Sequence, residues 1–200
     1  MATTETTERR RAESPARRRA ESPARRRILD TAGALFYAEG IHTVGIDRVI
    51  AEAGVAKATF YHHFPSKDEL VRAYVQEQSD RVHATTVVRG DTPQERILSV
   101  FDDLGDFICG PGFRGCAFVN AAAEYPDPDH PVRRVVAEHR AWFHGILRDL
   151  LTEAGRSEAD ADRTATMLTM LRDGLVVAGD LDDPAATRAL AREAVTRLLA

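Results

Sequence analysis

From Ile28 onward the apolar residues recur at helical spacing. Ile28, Leu29, Ala32, Leu35 and Phe36 form one stripe closed by Gly40, since residues three and four apart share a helix face and glycine tolerates the backbone at a helix end. Ile46, Val49, Ile50 and Ala53 form a shorter stripe closed by Gly54, and Lys57 to Phe64 read as a third short helix stopped by Pro65. Ser66-Lys67-Asp68-Glu69 has the form of a capping box and predicts a longer fourth helix carrying Leu70, Val71, Tyr74 and Val75. Thr92-Pro93-Gln94-Glu95 repeats the device, with proline at the first helical position, ahead of Ile97, Leu98, Phe101, Leu104 and Ile108.

A Gly110-Pro111-Gly112 break leads to a short apolar element from Cys116 to Ala123, ended by Tyr125-Pro126-Asp127-Pro128. Val132, Val135, Val136, His139, Phe143, Ile146, Leu147 and Leu150 mark a long helix ending near Gly155. Ser157 and Asp160 cap the next, which runs through Met167, Leu168, Leu171, Leu175 and Val176 to Gly179. Asp183-Pro184 opens the last, with Leu190, Ala194 and Leu198 on its face. The pattern predicts an all-α protein of about nine helices. Valines 87, 88, 176 and 177 sit at helix ends with no partner run, so no sheet is expected.

Before Ile28 the pattern changes. RRRAESPA occurs at 9–16 and again at 17–24, and a third RRR follows at 25–27. No large apolar residue interrupts it, so this stretch is low-complexity and builds no core. Each Ser-Pro pair still suits a helix start, serine as N-cap and proline behind it, and Ser22-Pro23 is the expected start of helix 1. Residues 1–22 therefore read as a basic arm, 23–75 as a first domain and 76–200 as a second.

Charge sharpens this division. The chain carries a net -4, yet residues 1–27 hold nine Arg against four Glu. An acidic body with a basic extension suits steering toward phosphates, although such an arm also serves as a solvated tail. Hydrophobic content of 44% and charged content of 29% are ordinary for a globular protein. No apolar run approaches the ~18 residues that span a membrane, and the N-terminus lacks the apolar stretch of a secretory signal. A cytoplasmic protein is expected, with Cys109 and Cys116, the only cysteines, reduced.

A short helix, a glycine-containing turn and a second short helix make a helix-turn-helix, whose second helix enters the major groove. Lys57, Thr59, Tyr61 and His62 supply donors on its outward positions, while Phe60 and Phe64 face inward. The stretch AEAGVAKATFYHHFPSKDELVRAYV at 51–75, with ILDTAGALFYAEG at 28–40, resembles the signature of tetracycline-repressor (TetR) type regulators. The resemblance implies a nine-helix fold with a DNA-binding head and a body that binds a small molecule and dimerises. It makes Lys57, Ala58, Thr59, Tyr61 and His62 the DNA-facing positions and Lys67 a phosphate contact, with His63 packing inside the head. Arg25, Arg26 and Arg27, the triplet that follows the arm, join this set. Val44-Gly45 stands where relatives often carry two threonines, which removes a hydroxyl contact. Asp47 would repel phosphate or accept from a cytosine amino group, and nearby Arg48 would offset it.

The resemblance also places an effector among helices 5 to 8, and the last two helices at a two-fold interface. Phe101, Phe107, Phe113, Phe118, Trp142, Phe143 and Met170 are candidate contacts to an apolar or amphipathic effector; the alternative is plain core. Asn120 and Glu124 share a face of helix 6 and either anchor a ligand or cap and solvate the helix. Operator DNA, a small-molecule effector and a second copy of the chain are the expected partners, with no membrane, cofactor or metal.

Three other functions compete with this reading. A redox sensor using Cys109 and Cys116 lacks an evident cationic activator in sequence. A metal sensor or hydrolase using His130, His139 and His144 meets the helix geometry, which sets residues five apart about 140° round the axis; no nucleophile elbow, phosphate loop or HExxH motif appears. A purely architectural DNA-binding protein would leave the long body without a role. The arm itself generates a test. Residues 28–80 hold four basic and eight acidic side chains, so deleting residues 1–21 should weaken binding to all DNA sequences alike. The log-affinity against log-salt slope should flatten by at most roughly 5 units per chain if all six deleted arginines meet phosphates. Identical slopes for full-length and truncated protein would remove the arm from DNA recognition.

Overall fold

The computed structural model describes residues 22–200, and the arginine triplets at 9–11 and 17–19 lie outside the described residues. The described residues form nine helices and no strand: α1 (Pro23–Glu39), α2 (Ile46–Ala53), α3 (Lys57–His63), α4 (Lys67–Thr85), α5 (Pro93–Ile108), α6 (Ala117–Glu124), α7 (Pro131–Glu153), α8 (Glu158–Leu181) and α9 (Pro184–Leu199). The all-α fold read from periodicity is the fold observed.

The caps account for most of the boundaries. Thr92 accepts from the Glu95 amide while the Glu95 carboxylate accepts from the amides of Asp91 and Thr92, a complete capping box. Asp183 accepts from the amides of Ala185 and Ala186, and Ser157 from that of Asp160. Two predicted caps differ. Ser66 accepts from the Glu69 amide, but the Glu69 carboxylate turns to the Arg72 guanidinium at 2.9 Å, so only half of that box forms. Ser22 precedes Pro23 as expected, yet its hydroxyl makes no cap bond and lies 3.3 Å from His63 Nε2. The residue just before α1 is thus tied to the end of α3.

The head is α1 laid across α2 and α3, with α4 behind. Ile28, Ala32, Val44, Val49, Phe60, Leu70 and Val71 are its fully buried centre. The expected boundary at 75/76 falls inside α4, which runs unbroken from the head into the body. There α7 packs along α8 and α5 along α9, around Ile97, Leu147, Leu151, Leu168 and Val195. Helix α6 bridges α4 and α7. Among the described residues no helix is long and apolar enough to cross a membrane.

Helix α8 continues two residues past Gly179, the expected stop. That glycine is a contact point: a Cβ there would lie 2.9 Å from Ile108 Cβ and 3.0 Å from its Cδ1. Ile108 is β-branched and fully buried, so it cannot swing aside. Gly179→Ala should therefore destabilise the fold by about 1–2 kcal/mol, overpacking outweighing the ~1 kcal/mol propensity gain of alanine. Chemical denaturation checks this, and a more stable variant would contradict the close packing.

Candidate nucleic-acid interface and effector cavity

Helix α2 ends at Gly54 in the left-handed region (φ 62°, ψ 41°), which turns the chain sharply into α3. Phe60 is fully buried and Phe64 nearly so, and together they seat α3 on the head. Lys57, Ala58, Tyr61 and His62 are then exposed, with Thr59 half-buried beside them. The Tyr61 ring meets Phe60 edge-on at 5.3 Å, so this exposed side chain rests on a buried neighbour.

The cations of the head are unequally placed. Lys57 Nζ lies 3.2 Å from Asp47 Oδ1, and both groups are exposed, so water and salt screen the pair. Arg48 is held by both Glu39 and Glu52, an arrangement with net negative charge. It therefore does not offset Asp47 as the sequence suggested. Lys67 sits half-buried at the start of α4 with Nζ 3.4 Å from the His42 carbonyl oxygen, and burial lowers its pKa against the pull of Glu124 and Asp68. In the third arginine triplet, Arg26 bonds Glu77 on α4 and Asp30 on its own helix. The Arg25 guanidinium lies 5.0 Å over the Phe64 ring, and Arg27 is exposed. Two of the three thus help hold the head together, a role that composition gave no sign of. His63, half-buried against Ser22, lies inside the head, as the resemblance implied.

Helix α6 is fastened to the head at both ends. Before it, the Tyr37 hydroxyl donates to the Gly115 carbonyl (3.0 Å) and accepts from the Arg114 amide (2.8 Å). Asn120 Nδ2 donates back to the Arg114 carbonyl at 3.1 Å. At its far end Glu124 accepts from the amides of Ile41 (2.8 Å) and His42 (2.5 Å), with His42 Nδ1 at 2.9 Å. Burial opposes the charged carboxylate, but these donors outweigh it and hold its pKa below the usual value. The Tyr125 hydroxyl donates to Asp68, next to Lys67, at 3.1 Å. Asn120 and Glu124, left open in the sequence, thus join loop, helix and head.

A cavity of about 730 Å³ lies between α1, α4 and the α5–α6 connection. Its floor is α1, through Leu29, Gly33, Ala34 and Tyr37. Phe107, Phe113 and Phe118 line it, the first two edge-on at 5.2 Å. The other candidate contacts lie elsewhere. Phe101 and Phe143 form a buried T-shaped pair in the core, and the Trp142 ring lies 3.8 Å from that of His83. Asn120 borders a separate cavity of about 310 Å³, and Met170 is 63% exposed on α8. Apolar character marks a residue for burial or contact, without saying which surface it meets.

Two buried polar groups lie nearby, of which the sequence singled out only His139, as a metal candidate. Arg172 is 8% exposed; its Nη2 is 3.7 Å from Cys116 Sγ, its Nη1 is 3.0 Å from Asp173, and its guanidinium lies over Phe143. Cys116 therefore has the cationic neighbour that its sequence surroundings lack. His139 is buried between Ser79 (3.1 Å to Nδ1) and the Phe118 ring, stacked at 3.7 Å. His130 instead stacks on Tyr125 and His144 lies near Thr166, and among the described residues no three ligating side chains could hold a metal ion.

On α8, Met167, Met170, Gly174, Val177 and Leu181 alternate in steps of three and four along one exposed face, with Leu190 exposed on α9.

The head, with α3 presented outward from α2 and a helical body behind, defines a helix-turn-helix transcriptional regulator. Residues 28–74 match the family model for bacterial regulatory proteins of the tetR family, and residues 93–195 match the tetracyclin repressor-like C-terminal domain. The chain belongs to the TetR family, whose members are DNA-binding regulators and not enzymes. It is similar to SCO4454, a TetR-family transcriptional regulator from Streptomyces coelicolor, at 42% identity and a TM-score of 0.76, over 88% of this chain and 94% of that one. The HTH-type transcriptional regulator LmrA of Bacillus subtilis (strain 168) is 26% identical over 152 residues, 74% of this chain and 81% of its own. The HTH-type transcriptional activator FasR of Mycolicibacterium smegmatis is 35% identical over 84 residues, 40% of this chain and 38% of its own.

His139 has a measurable consequence. Burial, then the charges of Arg172 and His83, push its pKa from 6.5 down to about 3. Between those values the unfolded chain binds a proton that the folded chain refuses, so this contribution is whole above about 6.5 and is lost as pH falls toward 3. The loss is up to ~1.4 kcal/mol per pH unit. Urea titrations between pH 7.5 and 5 should show a steeper pH dependence for wild type than for His139→Gln, and equal dependence would exclude His139 as its source.

Proposed function

We propose that the chain is a ligand-responsive repressor, a homodimer that binds a pseudo-palindromic operator through α3 of each head and leaves it when an apolar or amphipathic small molecule fills the body. The observation that carries this reading is the floor of the large cavity. Leu29, Gly33, Ala34 and Tyr37 belong to α1, the helix that buries Ile28, Ala32 and Phe36 in the head core. An occupant of the cavity therefore touches the head directly, and any difference in its affinity for two head positions shifts DNA binding, typically by ~1–3 kcal/mol.

In this reading residues 23–75 are the DNA-binding head and 76–200 the ligand-binding and dimerisation body, with α4 shared. Lys57, Ala58, Thr59, Tyr61 and His62 meet the groove, and Lys67 and Arg27 meet the backbone. A second copy covers the α8 face of Met167, Met170, Val177 and Leu181, placing the two heads on successive major grooves. The protein acts in the cytoplasm, where its operator is.

Fluorescence anisotropy with an operator selected from random duplexes tests the reading. Tyr61→Ala, at an exposed position, and Lys67→Ala, which loses only one long bond to the His42 carbonyl within the chain, should each weaken operator binding by about 1–3 kcal/mol with little change in Tm. Met170→Asp should shift the protein toward monomer in sedimentation and weaken operator binding with it. Unaltered operator affinity in both head variants would sink the assignment of α3.

A further inference from the structure

A second body cavity, of about 380 Å³ between α6, α7 and α8, has an unbalanced charge. Phe118, Val119, Ala122, Val136 and Val177 supply apolar walls, while Arg133, Arg140 and Arg172 face a single carboxylate, Asp173. That carboxylate is already divided: Arg140 bonds one oxygen and Arg172 the other. Arg133 Nη1 donates to the carbonyls of Ala122 and Tyr125, which carry no formal charge. His139 completes the polar wall; burial first, and then the positive charges of Arg172 and His83, lower its pKa.

Arg172 is the key member. A guanidinium offers five N–H donors and is costly to bury without acceptors. Here the side chain is 8% exposed, with half of a shared carboxylate and one thiol sulfur as its partners. It also lines the 730 Å³ cavity, as does Phe118, so these two side chains are the partition between the two spaces. On the large-cavity side, Asp30 and Glu77 are both bonded by Arg26.

We infer that the effector is an amphipathic organic carboxylate. Its aromatic or alicyclic body lies against Phe107, Phe113 and Phe118 in the larger cavity, and its acid group meets the Arg172 fork with Arg133 and Arg140 behind. A planar carboxylate matches that fork in charge and shape. The inference rests on the ligand-release reading above and names the chemistry of the ligand.

Isothermal titration calorimetry on the full-length protein with 2-naphthoate and its neutral counterpart 2-naphthamide tests it, followed by release of a labelled operator by each. Naphthoate should bind at least tenfold tighter than the amide. Arg172→Gln should abolish that preference, and Arg140→Gln, at an exposed position that leaves the core intact, should reduce it. Asp173→Asn, which removes the competing carboxylate, should tighten naphthoate and leave the amide unchanged, an effect that a purely structural Arg172–Asp173 pair does not produce. Equal affinity for the two probes, binding of neither, or an anion preference that survives both arginine substitutions overturns the carboxylate site. If naphthoate binds with the expected arginine dependence but leaves the operator in place, the site stands and the ligand-release reading falls.

Discussion

Helix α1 must bury two faces at once, and the remaining architecture follows from how it does so. Ile28, Ala32, Leu35 and Phe36 fill the head core, while Leu29, Gly33, Ala34 and Tyr37 close the large cavity. Gly33 permits this: a Cβ there would lie 3.2 Å from the Tyr74 ring, so α1 sits closer to α4 than a larger residue would allow. Tyr37 and the turn after α1 also hold the two ends of α6. Packed interiors have little slack, and a displacement on one face of such a helix is transmitted to the other. Head and cavity therefore form one mechanical unit even though they are separate in sequence.

The electrostatics of the head follow from the same packing. An acidic head needs cations to hold itself together, and Arg26 and Arg48 serve that purpose by bonding two carboxylates each. Lys57, paired with Asp47 in full contact with water, is far easier to transfer to a phosphate, since an exposed pair gains little from remaining together. The number of positive side chains near a groove is thus a poor guide to how many can reach DNA. What matters is which of them are already neutralised by buried or bidentate partners.

This distinction also marks the limit of what the sequence disclosed. Helix positions were legible because a 3.6-residue period and the caps at Thr92, Ser157 and Asp183 are local signals. The outward register of α3 was legible because Phe60 and Phe64 fix its inner face. The joints between Glu124 and Ile41, Arg172 and Cys116, and His139 and Ser79 were not, because each links residues more than fifty positions apart. Periodicity also cannot separate two apolar destinations. Phe118 borders the cavities and Phe101 lies in the core, although both occupy ordinary helix positions.

Helix α8 shows that last limit most clearly. Leu168, Leu175 and Val176 face the core, while Met167, Met170, Val177 and Leu181 stand on another side, so the helix carries two apolar faces between its charged positions. A helix of that kind is stable in water only when both faces are covered. Leu181 at 75% exposed and Met170 at 63% are large apolar side chains that the described residues leave mostly uncovered. Their three- and four-residue spacing is that of a seam between packed helices, and Gly174, with nothing within 4 Å of its Cβ position, leaves room for a close crossing. Val177 belongs to this seam and also to the wall of the arginine-lined cavity. In the proposed dimer, filling that cavity and pairing the α8 helices act on adjoining sides of one residue. The separation of the two heads is then sensitive to what the cavity holds.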